Sequence, residues 1–511
     1  MERRACSAHW VAGLVRPHVV VACVLPLLAA SGVAAQERAT NAEVRLEPVV
    51  VTATRTGLSQ ESPPASVTVL DHDDVQSSAD VAADDILHTI PGFSLYRRSS
   101  STVTPPNLDT EAQGVTLRNI GPAGATRVLV MVDGVPLISP FDGQVFWGKV
   151  PQESIDHIEV VRGSGASLWG NYAMAGVINI ITRKPTETGA SLKASYGTDG
   201  LTDDYLSVSG RTDKLTVGLE GNFFNLDGFP VVASDQRGAI DKNGSSRDEV
   251  VNGRVGYQLS EAASISLHGQ YFDQAYNYGT KLRTAGTTAG LIDLSGTVHT
   301  DDGSEWQGMV FSNMQSFHIQ FSEANDLRTT ENRSLKQTVP STDLGASLVW
   351  SRRMLNPLLL TAGVDLHWID VQSRDQVFDP DNNGILTDRV RSDGKQFFAG
   401  FFLQGIYTPT PQWEFALSGR ADLWENYDGT VMDANNGTTS YASHTRAAFN
   451  PRLSVLYRLT DWLHLRAAAY RAFRAPTLAE LYRRSFVEGL EFRPNPNLSP
   501  ERTRSSVISM A

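Results

Sequence analysis

From Pro185 onward the chain repeats one pattern: long segments of alternating apolar and polar residues, divided by turn residues. A period of two sends successive side chains to opposite faces of a strand, so each segment carries one apolar and one polar face. Leu215, Val217, Leu219 and Phe223 oppose Thr216, Glu220 and Asn222; Ile265, Leu267 and Tyr271 oppose Ser266, His268 and Gln270. Trp413, Phe415 and Leu417 likewise oppose Glu414, Ser418 and Arg420. A soluble β-sandwich alternates too, but three features favour a membrane barrel. The segments run about nine to sixteen residues, as tilted spanning strands need. Tyr407, Trp413, Trp424, Tyr427, Tyr457 and Trp462 fall near segment ends, where an interfacial girdle would lie. The connections alternate between very short (408–412, 459–461) and long and polar (373–395, 427–445).

The first 35 residues set the compartment. Arg3, Arg4 and Arg16 precede an apolar run from Val19 to Ala30, which ends at Val33-Ala34-Ala35, the pattern of a secretory signal with a small-residue cleavage site. Cys23 fits a lipoprotein pattern only loosely, because most of the apolar run would then lie beyond the cut. Both cysteines, Cys6 and Cys23, belong to this leader, so disulfide, thiolate-metal and catalytic-thiol chemistry are not expected of the mature chain. The net charge of −12 becomes −14 once the leader, with three arginines against Glu2, is set aside. Such an acidic exported chain is a poor nucleic-acid binder. Beyond the leader no run of 18 or more apolar residues occurs, which argues against a helical span.

Residues 36–58 read as a flexible segment and residues 59–185 as a compact α+β domain. Ser66 to Leu70 alternates like a strand, and Asp80 to Ile90 has helical apolar spacing stopped by Pro91-Gly92. Val128 to Val132 reads as a buried strand turning at the hairpin dipeptide Asp133-Gly134 into Val135 to Ile138. Pro151 to Ile155 is helix-like, with strands expected at Ile158–Val161 and Val177–Ile181. Two loops stand out: Tyr96 to Gln113, and Ser139 to Gly148 with its Phe141, Phe146 and Trp147.

Motifs for chemistry are weak. Val161 to Gly170 (VRGSGASLWG) lacks a P-loop ending and misplaces the third glycine of a dinucleotide loop, so it reads as a tight turn. Asp379, Asp381 and Asn383, with Gly384, open like a calcium loop, but Val390 replaces the closing carboxylate, and a polar loop is the simpler reading. No His-x-x-x-His or Gly-x-Ser-x-Gly occurs, and Glu153, Asp156 and Glu159 read as surface and salt-bridge residues rather than a catalytic pair. No enzyme and no cofactor are expected.

Leu46 to Arg55 (LEPVVVTATR) is a β-rich run in a loose segment, with Pro48 blocking one backbone donor, which suits strand addition to another protein; an ordinary first strand of the next domain is the alternative. This stretch resembles a TonB box. IPGF at Ile90, VTLRNIG at Val115, VLVMVDGVPL at Val128, IDHIEVVRGSGASLWGNYAMAGVINIITRKP at Ile155, RAFRAPTLAELY at Arg471 and NPNLSPE at Asn495 follow in order. Together they identify the chain as a member of the TonB-dependent outer-membrane receptors, the likeness covering nearly all of the mature chain. Asn119 and the single glycine of YAMAG depart from the usual motifs at plug turns.

The resemblance implies an α+β plug (59–185) inside a transmembrane antiparallel β-barrel (186–511) of the bacterial outer membrane, surrounded by its lipid. It implies a TonB-binding box over Glu47, Pro48, Val49, Val50, Val51, Thr52 and Ala53. TonB, energised by ExbB and ExbD, would pull on the plug and import a scarce ligand: a ferric siderophore first, with cobalamin, haem or another metal chelate as further candidates. Plug loops would present Tyr96, Arg97, Arg98, Phe141, Phe146 and Trp147 to that ligand. Barrels of this kind have 22 strands, whereas about thirteen complete ones are expected here, at about ten residues each, with a fourteenth opening at Arg502. A fragment or truncated frame is therefore expected, and a passive or adhesive barrel, or a non-functional truncated receptor, is the rival to import.

Overall fold

The computed structural model describes residues 49–50, 54–56, 58–59, 65–95, 100–103, 114–118, 126–355, 357–460, 462–487 and 490–510. Strands β1 (Val49–Val50) and β2 (Leu58–Ser59) pair with each other and not with any larger sheet among the described residues. Seven plug strands follow: β3 (Ser66–Leu70), β4 (Phe93–Leu95), β5 (Val115–Leu117), β6 (Val128–Val132), β7 (Val135–Pro136), β8 (Ile155–Arg162) and β9 (Gly176–Thr182). Five of them form one sheet in the order β3-β8-β9-β6-β7, with β6 and β9 parallel. Val128, Val130, Ile155, Ile158, Val160, Val177, Ile178 and Ile180 are wholly buried in its core, each contributing roughly 1.5–3 kcal/mol by leaving water. The β6–β7 hairpin turns at Asp133 (φ 49°) and Gly134 (φ 87°), the two left-handed residues that a tight hairpin requires.

Short helices fill the plug's edges. His72–Gln76 carries a reciprocal cap between Asp71 and Asp74. The helical spacing of 80–90 resolves into Ala83–Ile86 and a 3₁₀ turn, Leu87–Thr89. Pro151–Ile155 is a 3₁₀ turn over Gln152–Ser154, and VRGSGASLWG is a tight turn: Gly163 has φ +94°, the Gly165 amide donates to the Ala173 carbonyl, and the helix Ala166–Trp169 follows.

The remaining strands are β10 (Gly189–Tyr196), β11 (Thr202–Arg211), β12 (Leu215–Pro230), β13 (Asp241–Ser260), β14 (Ala263–Thr280), β15 (Thr284–His299), β16 (Ser304–Ala324), β17 (Glu331–Leu355), β18 (Leu358–Asp379), β19 (Ile385–Thr410), β20 (Trp413–Asp433), β21 (Gly437–Ser440), β22 (His444–Thr460), β23 (Leu463–Arg474), β24 (Ser485–Val487), β25 (Leu490–Phe492) and β26 (Glu501–Met510). Fourteen of these pair antiparallel along one path from β10 to β26, which matches the thirteen strands plus one read from the sequence, and β21 hangs from β20.

The alternation is inside out for a soluble protein. Val217 is 42% exposed, and Leu219, Leu267 and Leu417 are likewise exposed on the outer face, while Glu414, Ser418 and Arg420 are buried on the inner one. An apolar outer wall and a polar wall facing the plug is the pattern of a lipid-facing barrel. Trp413 and Trp462 lie on the outer wall as a girdle would, but Trp424 does not: it is 1% exposed and stacks between Phe398 and Phe473 inside. The strands also exceed the expected nine to sixteen residues, β19 reaching 26. The long polar connections expected at 373–395 and 427–445 are mostly strand: β18 and β19 pair down to Asp379 and Ile385, because cross-strand pairing continues beyond the length a membrane needs.

Candidate functional site

The three residues after the expected box Glu47–Ala53 are fixed at the plug–barrel interface. Thr54, Arg55 and Thr56 are buried, and the Thr54 hydroxyl donates to the Thr56 carbonyl at 2.9 Å. Arg55 has φ 58°, a conformation costing a non-glycine residue about 1 kcal/mol, so the contacts around it must overdetermine it. Its guanidinium forks onto Asp365 of β18 (2.8 and 3.0 Å), donates to the Leu168 carbonyl and to Ser347 Oγ (both 3.2 Å), and lies over Trp169 (4.2 Å) and Phe402 (4.8 Å). Arg420 of β20 also bonds Asp365, reaches the same Leu168 carbonyl at 3.0 Å, and donates to Asp422 at 2.7 Å. Gln404 holds the Thr54 carbonyl at 3.2 Å. Two arginines and two aspartates thus make a nearly neutral, closely bonded nest, in which forked carboxylate pairs are the strong geometry. Sequence reasoning missed it; the one available signal was Arg55, two residues beyond the box, together with acidic residues at inner-wall positions.

A second ionic knot ties the plug core to the barrel. Arg127, the residue before β6, forks onto Glu501 of β26 (2.7 and 2.8 Å). Arg474 of β23 bonds Glu501 at 2.5 Å and forks onto Glu480 (3.0 and 2.9 Å). Glu480 also caps the helix Leu478–Tyr482 reciprocally with Thr477.

That helix shapes the end of the barrel where the long hairpins lie. It folds inward, and the Ala479 amide donates to the Phe141 carbonyl at 3.0 Å. Phe141, Phe146, Tyr276, Phe317, Ile369, Leu478 and Tyr482 form one buried cluster. Arg483 pairs with Asp375 at 3.7 Å and Arg484 with Asp388 at 3.5 Å, holding the connection against the wall. Of the residues expected to face ligand, Phe141, Phe146 and Trp147 are therefore buried, Trp147 in the plug core itself. Tyr96, Arg97 and Arg98 lie outside the described residues, as do Glu47, Pro48, Val51, Thr52 and Ala53 of the box.

Other candidate residues take structural places. Asp379 accepts from the amides of Asp381 (3.1 Å) and Asn382 (3.2 Å), so the carboxylate that opens the calcium-like pattern closes a turn, with Asn383 and Gly384 left-handed. No group of three or more His, Cys, Asp or Glu placed to hold a metal occurs among the described residues. Glu153 and Glu159 are buried rather than superficial, because barrel strands cover the plug; Glu153 pairs with Lys193 and Glu159 with His157.

Between plug and wall lies a cavity of about 640 Å³. Arg55, Asp365 and Arg420 line it, with Met131 and Pro136 of the β6–β7 hairpin on one side and Phe311 and His367 on the other. A second cavity of about 290 Å³ lies across the hairpin. The tip between them is pinned by Asp133, which accepts from Arg254 (2.7 Å), the Thr182 amide (3.0 Å) and the Thr182 hydroxyl (2.5 Å). Burial works against the Asp133 carboxylate, yet Arg254 and Thr182 together hold its pKa below the ordinary value. Lys149, buried against Phe146 and Phe272 with Gln315 as hydrogen-bond partner at 2.8 Å, is pushed by burial down to about 8.

Residues 59–177 match the family model of the TonB-dependent Receptor Plug Domain, and residues 188–506 that of the TonB dependent receptor-like beta-barrel. A relative in Photobacterium profundum, named Vitamin B12 transporter BtuB, is 26% identical over 502 residues, covering 96% of this chain and 71% of the relative. Among solved structures, the copper transporter OprC superposes with a TM-score of 0.70 at 18% identity over 87% of this chain and 70% of its own. The unliganded ferric citrate transporter FecA gives 0.66 at 16% identity, over 88% and 67%.

Proposed function

We propose, for a chain that belongs to the TonB-dependent receptor family, that it imports a metal-bearing small molecule across the outer membrane, with energy drawn through TonB. Among such ligands a ferric siderophore is the first candidate and cobalamin the second; the relatives and neighbours named for vitamin B12, ferric citrate and copper have in common a cargo that carries a metal. The short-turn rim faces the periplasm and the long-hairpin rim the outside.

The observation that carries this reading is the Arg55 nest. Thr54–Thr56 directly follow the box, and their hold on the barrel is a handful of hydrogen bonds from one segment. TonB, adding as a strand to Glu47–Ala53 under force supplied through ExbB and ExbD, would draw Arg55 out of the nest. One edge of β1 is taken by β2, at Val49–Ser59 and Val50–Leu58, and strand addition uses the other.

The test is uptake of ⁵⁷Co-cyanocobalamin and ⁵⁵Fe-ferric citrate by cells whose own receptors are deleted. Val50→Pro removes a backbone donor from the box. Uptake should fall at least tenfold with surface binding unchanged, and an uncoupler should do the same to the parent chain. Uptake indifferent to both treatments would favour a passive barrel.

A further inference from the structure

We infer that Arg118 and Arg162 of the plug, with Arg452, Arg466 and Tyr470 of the wall, form a binding site for a tetrahedral oxyanion of the phosphate class. Such a site does not depend on import. It is a third fastening of plug to wall, one in which the chain supplies the cations and the solution supplies the anion.

The residues converge from separate elements. Arg162 ends β8 and Arg118 directly follows β5, both on the plug. Arg452 and Tyr470 lie opposite each other on β22 and β23, and Arg466 shares the inward face of β23 with Tyr470, the exposed Ala467 and Ala469 taking the other face. Gly163, with φ +94°, stands among them: a side chain there would come within 3.5 Å of Tyr470 Oη and 3.6 Å of Arg118 Nη1. The missing side chain thus leaves a recess between a wall donor and a plug donor. Beside it, the Arg452 guanidinium lies 6.0 Å from the Tyr470 ring and donates to the Ser164 carbonyl at 2.7 Å.

What this corner lacks is counter-charge. Arg118 is close enough to repel both Arg162 and Arg452, and Arg162 repels Arg466 in turn. Among the described residues, the one carboxylate acting on Arg162, Arg452 and Arg466 is Glu414, beside Arg466, and it is paired with Arg458 at 3.3 Å. Arg162 Nε and Arg466 Nε are buried without a hydrogen-bond partner among the described residues. The neighbouring strand β26 sets Ser505, Val507 and Ser509 opposite Tyr470, Ala468 and Arg466, and none of the three is acidic. Half-buried like charges are screened less than exposed ones, and a buried donor left unmade keeps its desolvation penalty. A bound anion removes both costs together.

The donor set selects the class of anion. A carboxylate is planar and is satisfied by one or two guanidinium forks, as Asp365 and Glu501 are. Here the donors come from plug and wall alike and include a phenol, which suits an anion with oxygens at the corners of a tetrahedron and a charge of about two. The four arginines are half-buried, so solvent reaches them, and Arg466 lies near the β22–β23 turn that Thr460 and Leu463 close. An anion held there ties β8 and the end of β5 to β22 and β23.

Equilibrium dialysis of the full chain in detergent against ³²P-orthophosphate, at constant ionic strength in chloride, tests the site. One equivalent should bind saturably, and phosphate should raise the melting temperature above that in chloride alone. Arg162→Gln and Arg466→Gln should each weaken binding at least tenfold, and Arg211→Gln, exposed at the end of β11, less than twofold. Absence of saturable binding overturns the inference, and so does binding that survives both cluster substitutions. Ala468→Glu decides the matter if neither glutamine variant folds. It sets a carboxylate on the inward face of β23 between Arg466 and Tyr470, and should abolish phosphate binding while raising the melting temperature in chloride. Unchanged phosphate binding in Ala468→Glu overturns the site. Competition then identifies the source. Glycerol phosphate competing within threefold of orthophosphate supports the site and assigns it to the phosphate group of a larger molecule; failure to compete supports it and assigns it to free phosphate. Acetate competing as well as orthophosphate overturns the tetrahedral class.

Discussion

Two ionic knots fasten the same plug to the same wall, and they differ in what stands behind each arginine. Arg127 precedes β6, at the centre of the plug sheet, so pulling it from Glu501 means moving a packed core. Arg55 belongs to a three-residue described segment between β1 and β2, outside that sheet, so pulling it from Asp365 moves little else. The bond chemistry is alike, forked guanidinium on carboxylate in both. The mechanical consequence is not, because a force applied at residues 47–53 loads the Arg55 knot first. If the proposed import cycle holds, chain connectivity rather than bond strength separates a releasable fastening from a lasting one.

The sharpest way to break this contrast is to remove the shared carboxylates. Asp365→Ala leaves Arg55 and Arg420 facing each other without their common partner, and a loss of about 3–5 kcal/mol is expected for stranding buried charge. It should appear as a lower melting temperature in detergent. Glu501→Ala should cost less, about 2 kcal/mol, because Arg474 keeps Glu480 and Glu501 is one-third exposed. Arg55→Met should cost least, about 1 kcal/mol, since Asp365 retains Arg420. Yet it should have the largest effect on the box: a spin label at Val50→Cys becomes mobile in Arg55→Met and stays ordered in Glu501→Ala. If the label loosens equally in both, the two knots are not mechanically distinct.

The outer wall was legible in the sequence because membrane strands repeat a two-residue period over many residues, and Glu414, Ser418 and Arg420 could be assigned to one face from that alone. What Arg420 meets there was not legible. Its nest includes Arg55, 365 residues earlier, brought near only by insertion of the plug. Phe141 and Phe146 show the same dependence on distant chain. Their aromatic loop reads as a surface offered to ligand, and the helix Leu478–Tyr482, far along the chain, packs with both in one buried cluster, while Trp147 packs into the plug core. Trp424 was placed in the girdle by its nearness to a strand end, but β20 continues to Asp433, so that end was no end. Local pattern fixes which face a residue takes, and long-range closure decides what covers that face.

Lys149 sharpens the comparison from the opposite side, as a plug cation facing the wall without a forked carboxylate. Its hydrogen bond runs to neutral Gln315, and Asp343 helps only through its field, so burial dominates and lowers the pKa from 10.5 to about 8. An amine whose pKa falls on folding binds its proton more tightly in the unfolded chain. It therefore subtracts stability at every pH below about 8, and the penalty fades as the pH rises from about 8 toward 10.5. Lys149→Met keeps the apolar stem and removes the charge. At pH 7 it should stabilise the folded protein by roughly 1–3 kcal/mol, with the advantage shrinking above pH 8 and nearly gone by about pH 10.5. The expected signature is a higher melting temperature than the parent at neutral pH that converges on it in alkali. A lower melting temperature at pH 7 would mean that the Gln315 bond outweighs the desolvation, and that a neutral partner fastens plug to wall as effectively as the carboxylates of the two knots.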